Sequence, residues 1–529
     1  MGNRPTKTIT TAWDNNNRNN MEQNRKDVSQ GLDELQNQID NLIIGSGSSS
    51  AEVIQARQTL EGTTAATLNE RINNDISYLN RKQKNQFADI VEDYKVKKDT
   101  LSNASSIFQT AINETAALGI WLVVPAGSYH MEKELIAKSG LKMILHKDAK
   151  MIRYHDNCMM LNGVTGDSAG GNDIIIDGGQ WDLQGDTILF DGSAFAFGYA
   201  KNIIIRNLKV YDVYFSHGME ICAIDGARVE YCEGYGFKDD TGTRTTAEFI
   251  QIEAGTSAGF PYFGPGNGNI SKNIDVTGCK TGPSGSLPAW NVGLGSHATQ
   301  TVYGGDVIRV SKCDFTTVET GMQITGYTNV TLDKIKINSK KGVKISFDNA
   351  TKTNVVLRDM VIKATSLMGV HMDGVKGITF EHCDIDGYTN AIYGTNTTDV
   401  NINSNCDLSG QTSDTIAIIT YAKNVKVRDS IIRKAGRHAF NIYDNSSNFR
   451  IRDCEIIDVT NVVFNLAGSN TKNIIIEGNN ISDASLTNVL AATAGVDRLY
   501  FNKNFYPSTI STPINSVATN SDVTGNIAI

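Results

Sequence analysis

The apolar positions of this chain change their period about one hundred residues in. Met21, Val28, Leu32, Leu35, Ile39 and Leu42 follow four-three spacing with charged and amide residues between them, the seam of a coiled coil. GSGSSS (45–50) interrupts the seam, Ser49 with Glu52 offers a capping box for the next helix, and Gly62 ends that helix. A further helical run carries Leu68, Ile72, Ile76 and Leu79, then Phe87, Ile90 and Tyr94. Residues 1–100 are therefore expected to form an α-helical coiled-coil stalk for attachment and oligomerisation. An amphipathic hairpin packed on the body is the alternative. In 101–135, Ile107, Phe108, Ala111 and Ile112 share one helical face, followed by a strand and a PAG turn. That pattern suits a helix capping the open end of a solenoid.

From 136 to 507 the period falls to two, and the chain repeats itself. NIIIRNLKVYDV (202–213), NVTLDKIKI (329–337), NVVLRDMVI (354–362), GITFEHCDI (377–385), NVKVRDSII (424–432) and NIIIEGNNI (473–481) each read as an alternating strand, a polar two-residue corner and a second short strand. Another short strand lies between successive units, as in GMEICA, EFIQIE, NVGLGS, GMQITG and GVKISF. The spacing is about 21 to 27 residues where it is regular, with Asn, Asp and Gly at the corners. This predicts a mainly β fold, a single-stranded parallel β-helix of roughly a dozen coils. It should be right-handed by the general preference of parallel connections. Residues 508–529 read as a C-terminal tail or cap.

Composition narrows the function. Forty-eight Gly against eight Pro suits a turn-rich β protein, and a net charge of −8 with no basic stripe argues against a nucleic-acid partner. No run approaches the roughly 18 apolar residues of a membrane span; the longest is GIWLVVP (119–125). The first twenty residues are polar throughout and carry no secretory pattern, so synthesis in a cytoplasm and release by lysis are expected. Six of eight cysteines (Cys232, Cys279, Cys313, Cys383, Cys406 and Cys454) recur at one place in the repeat, as a buried ladder of free thiols would.

Candidate chemistry lies where the repeat swells. With Met219, Ile221, Ile250 and Ile252 inward, one outward column reads Glu220, Gln251, Gly293, Gln323, Lys344, His371. Its neighbour reads Cys222, Glu253, Gly295, Thr325, Ser346, Asp373. Glu220 and Glu253 become diagonal neighbours about 8 Å apart. Gly293 and Gly295 would leave space beside them, and His297 follows. Glu220 to Gln251 spans 31 residues, Gln251 to Gly293 42 and Gly293 to Gln323 30, after which 21 returns. The extra residues form the loops GFPYFGPGNGN (259–269) and GPSGSLPAW (282–290). These are expected to wall a substrate groove around 217–325, with Phe260, Tyr262, Phe263 and Trp290 as stacking surfaces. Glu253 and Glu220 would be an acid/base pair, with His297 the third catalytic candidate, also placed to position substrate beside Gln251, Arg244 and Glu248. Upstream, Asp177 and Trp181 at a glycine corner are either a subsite or a packed turn. DDTGTR (239–244) either binds a cation or solvates a loop.

IDGGQWD, HGMEI, RTTAEFIQIE, FPYFG and VGLGSH, between 173 and 324, together with the leading segment 105–129, resemble pectate-lyase-like (pectin-lyase-fold) β-helix proteins. Within that group the likeness is to phage tail spikes and pre-neck appendages, including those that degrade teichoic acid. AEVIQARQTLEGTTAATLNERI (51–72) is similar to linker helices of tail proteins from phages of Gram-positive hosts. The resemblance implies a virion-borne homotrimer, held to other tail proteins through its N-terminus, that adsorbs to the cell wall and hydrolyses wall teichoic acid or a related surface glycan. A non-catalytic adhesin is the alternative. If the scissile bond is a phosphodiester, a divalent cation is the expected helper.

Overall fold

Inward-facing aliphatic residues pair with their counterparts one coil on, again and again. Ile203 lies beside Ala227, Ala227 beside Ile274, Ile274 beside Ile308 and Ile308 beside Val330, all in parallel register and all buried. Each Ile or Val contributes roughly 1.5–3 kcal/mol by leaving water, and the stack leaves one continuous core along the body. In this computed structural model the described residues are 86–529, except 298–303, 348–352, 404, 419, 483–485 and 487, together with 65, 67 and 69–76. The chain divides into two compact units, Met1–Ala88 and Asp89–Ile529.

The second unit is a parallel β-helix with three strand ladders. Two ladders merge through the long strands Lys142–Arg153 and Ile174–Asp182 into one 30-stranded sheet; the third is a separate 15-stranded sheet. Asn and Asp hold the corners in the left-handed region. Asn424, Asn448 and Asn473 have φ of 57°, 62° and 59°. Their amides form a ladder in which Asn448 donates to Asn424 (2.9 Å) and Asn473 to Asn448 (2.8 Å). Short amide side chains tolerate this conformation, which explains the corner composition.

The helix Ser105–Leu118 buries Phe108, Ala111, Ile112 and Thr115 against the first coils, with Phe108 edge-on to Tyr129 at 5.4 Å. It stops at Gly119, φ 68°, where the next two N–H groups return to Ala116 and Thr115 carbonyls. At the other end pairing continues past 507. Leu490 pairs with Ile514 and Phe505 with Ile527, so 508–529 extends the ladders rather than forming only a tail.

The coiled-coil seam at 21–42 and the helix ended by Gly62 lie outside the described residues. Residues 69–76 are helical. The helical run expected through Phe87, Ile90 and Tyr94 is not formed: Phe87–Asp89 is a strand. Asp89 Oδ1 then accepts the N–H groups of Val91 (2.8 Å) and Glu92 (3.0 Å), a side-chain turn that competes with helix.

All eight cysteines are free and buried. Cys279 sits between Cys232 and Cys313 in the ladder, and burial pushes its thiol well up. Thiol titration should therefore find close to eight groups in denaturant and few in the native protein. A substantial disulfide count would contradict the ladder.

Candidate functional site

The candidate residues lie on the outer face of the 15-stranded sheet, on Met219–Cys222, Glu248–Glu253, Val292–Gly295 and Thr320–Thr325. Glu220 pairs with Gln251 and Cys222 with Glu253, as the alternation requires. At the next coil the expected register is wrong by two residues. Gln251 pairs with Gly295, not Gly293, because Leu294 takes the core position between Ile250 and Met322. The two glycines are not a floor of open space. A Cβ on Gly293 would stand 2.6 Å from the Phe315 ring, and one on Gly295 2.4 Å from the Gln323 carbonyl oxygen.

The expected open groove over Glu220 and Glu253 is also corrected. Both are buried, and segment 254–270 covers this face. Phe260 and Phe263 pack edge-to-face at 5.1 Å on Tyr199, Cys222 and Cys158, forming a second small core outside the sheet. Tyr262 donates its hydroxyl to Glu220 Oε1 (2.8 Å), and Ser193 donates to the same oxygen. Glu220 thus anchors the covering loop, and Phe260 and Phe263 hold it down rather than offering faces to a sugar. Trp290 is fully buried against Phe237 (5.3 Å) and Phe249 (5.5 Å). Trp181 is likewise core, edge-on to Phe195 at 4.6 Å. Asp177 is buried in an ion pair with Arg206 (2.9 Å) and accepts a bond from Asn207 (2.9 Å), so that corner is a packed turn.

The structure brings Arg244, Glu248, Gln251, Glu253 and His297 of the expected residues together, and adds His217 and Ser296 to them. Glu248 is fully buried between two imidazoles. His217 Nδ1 lies 3.1 Å and His297 Nδ1 3.2 Å from its Oε2, and the rings stack at 5.4 Å with 13° between planes. Burial alone would raise the Glu248 carboxyl; hydrogen bonds from the two histidines outweigh it and hold it near 2. Burial would lower His297, yet the hydrogen bond and charge of Glu248 raise it. Glu253 is pushed up by burial, only partly offset by the Ser296 hydroxyl it accepts (2.7 Å). The carboxyls at the two ends of one strand are thus driven in opposite directions, a pattern that acid–base sites share. The His297 side chain keeps 29% of its surface open, and with Nδ1 turned to Glu248 the ring nitrogen left for a substrate is Nε2. Gln251 Oε1 is buried with no partner among the described residues.

Arg244 is placed by the DDTGTR loop. Asp239 accepts the N–H groups of Thr241, Gly242 and Arg244, so the loop is locked by its own acid rather than arranged around a cation. Arg244 donates to the Phe215 carbonyl (3.0 Å) and brings Nη2 to 3.4 Å from His217 Nε2. His217, Glu248 and His297 offer ligand atoms within 4.8 Å of one another, a two-nitrogen, one-oxygen set suited to a borderline divalent ion. However, the Nδ1 atom of His217, which a metal would have to use, already receives the Glu248 main-chain N–H at 3.3 Å. The same Nδ1 stands 3.1 Å from the Glu248 carboxylate. As it stands the set is a polar cluster in which His217, with Arg244 behind it, and His297 flank the Glu248 carboxylate.

His217 escaped the sequence reading because strict alternation points it inward. Alternation breaks at Phe249, which enters the core beside Ile250 and leaves Glu248 outside. The 31-residue offset shared by Glu220–Gln251 and His217–Glu248 was the available signal.

Residues 345–481 match a family model described as right handed beta helix region. The chain is 24% identical over 327 residues to plasmin and fibronectin-binding protein A of Streptococcus pneumoniae (strain ATCC BAA-255 / R6), covering 55% of this chain and 45% of that protein. It thus spans about half the length of that curated relative. Among solved structures, the N-terminal fragment of bacteriophage Phi29 gene product 12 superposes with a TM-score of 0.51 at 12% identity, covering 83% of this chain and 84% of that one. A mutant tailspike protein of E. coli bacteriophage HK620, in complex with a pentasaccharide, gives 0.50 at 9% identity, with 88% and 81% covered. By fold, the chain is a right-handed parallel β-helix of the kind seen in phage tailspikes.

Proposed function

We propose that the chain is a phage tail appendage that adsorbs to the Gram-positive cell wall and hydrolyses wall teichoic acid or a related surface glycan. It would assemble as a homotrimer through the apolar seam expected at 21–42 and travel on the virion. The observation that carries the enzymatic reading is Glu248, a fully buried carboxylate held ionised by two histidines, one of them reachable from solvent. The lengthened coils and the tailspike-like fold support the same face as the polymer-binding one. Glu253 and Glu220, expected from the sequence as the acid/base pair, give up that role because both are covered.

His297 takes the proton of the attacking water at Nε2, while Glu248 holds Nδ1–H and stabilises the imidazolium that forms. The same imidazolium returns the proton to the departing oxygen. His217 and Arg244 fix Glu248 from the far side. Gln251, with its carbonyl oxygen unpartnered, donates or accepts at a substrate hydroxyl once the edge of the covering loop shifts. Glu253, held toward its neutral form, avoids adding a second negative charge where an anionic polymer must approach.

The test is incubation of the purified chain with isolated wall teichoic acid, followed by chain-length and phosphate-release measurements with and without EDTA. Shortening of the polymer that persists in EDTA is expected. Shortening abolished by EDTA and restored by Zn²⁺ or Mn²⁺ would move His217, Glu248 and His297 from proton transfer to metal ligation. Binding to cell walls without shortening would leave the adhesin reading; the streptococcal relative is itself named for binding, of plasmin and fibronectin.

A further inference from the structure

One face of the 30-stranded sheet breaks the rule that governs its charges. Along two outward columns, successive coils set opposite signs side by side. Arg228 lies beside Asp275 and Asp275 beside Arg309 in one; Asp333 lies beside Arg358 and Arg358 beside Glu381 in the other. Two of these rungs close as ion pairs, Arg309–Asp275 and Arg358–Glu381. At coils 423–428 and 447–452 both columns turn cationic together: Lys426 pairs with Arg450 and Arg428 with Arg452. Like charges directly opposite on neighbouring strands are destabilising, so a two-by-two block of them is costly to the fold alone.

Little in the protein neutralises the block. Arg452 reaches Glu477 at 2.7 Å, and among the described residues Arg428 donates its side chain only to the neutral Asn403 amide oxygen at 3.1 Å. Among the described residues, no carboxylate forms an ion pair with Lys426, Arg428 or Arg450. The four side chains, with Asn401 and Asn403, line a shallow cleft of about 310 Å³. The chain as a whole carries −8, so this is a local reversal of its field.

We propose that this cleft is an anion-binding subsite for a polymer bearing phosphodiester charges. Strands about 4.8 Å apart and side chains about 6.6 Å apart along a strand set the cations in a grid matched to successive charges on an extended chain. Guanidinium forks bind phosphate oxygens in pairs, so each ordered Arg side chain gains two bonds for the rotamer freedom it loses. Naming a surface polymer as the partner rests on the function proposed above; the anion site itself does not. It lies on a different sheet from His297 and serves to hold the polymer, not to cleave it.

The experiment is titration of the full chain with inorganic polyphosphate at several salt concentrations. The Lys426→Gln/Arg450→Gln double variant should bind at least tenfold more weakly, with a log–log salt slope smaller by about 1.4, two lost contacts at about 0.7 each. Lys138→Gln/Lys312→Gln, which removes equal charge elsewhere, should bind as wild type does. His297→Gln should leave polyphosphate binding intact, so loss of cleavage and loss of this site are separable. Unchanged binding in the Lys426/Arg450 variant, or equal loss in the control variant, would overturn the proposal. So would tighter binding through these residues of single-stranded DNA of equal charge, which would make the partner a nucleic acid.

Discussion

Replacing His297 with Gln is expected to lower polymer cleavage by about two to four orders of magnitude, the usual cost of losing a positioned acid or base. The fall should lie in kcat, because His297 is placed for proton transfer and not for holding the chain. Glutamine keeps an N–H for Glu248, so the buried carboxylate retains a donor and the thermal transition should move little. Turnover of the variant at the wild-type rate would remove His297 from the chemistry. A rise in KM with kcat unchanged would make it a binding residue instead.

Trp290→Ala should have the largest effect on stability. The indole is fully buried between Phe237 and Phe249 at the foot of an inserted loop. Truncating a buried aromatic to alanine costs about 3–5 kcal/mol. The loss should appear as an early unfolding transition and as weaker wall binding only where that transition is crossed. Trp290→Phe, which keeps the aromatic contact, should lose markedly less. Weaker polymer binding by Trp290→Ala with an unchanged transition would restore the stacking surface that the loop sequence suggested.

Both residues show what the sequence could and could not reveal. The β-helix was legible because each coil repeats one simple demand, an aliphatic residue at every second position and an amide or glycine at the corners. Burial enforces that demand independently of its neighbours. The site sits where the repetition fails. The pairing of Glu220 with Gln251 was legible from alternation, but the slip at Gly293 was not, since moving the register by two keeps every residue on its face. Nor does composition say whether an aromatic loop stands up as a wall or lies down as a cover. Phe260 and Phe263 lie down because Cys158, Cys222 and Tyr199 offer apolar surface outside the sheet. His217 required a break in alternation at Phe249 that no periodic pattern announces.

The most direct measurement of the central claim is the pH dependence of polymer cleavage in the wild type and in Glu248→Gln. His297 must be neutral to take a proton, and Glu248 raises it above its ordinary 6.5. Glu248 itself stays ionised down to about 2, so that influence persists across any practical assay range. The wild-type rate should therefore climb along an acid limb lying above pH 6.5. In Glu248→Gln the charge is gone while burial remains, so the residual activity should be lower and its acid limb should move to lower pH. An acid limb at the same pH in both proteins would contradict the His297–Glu248 pair as the centre of the chemistry.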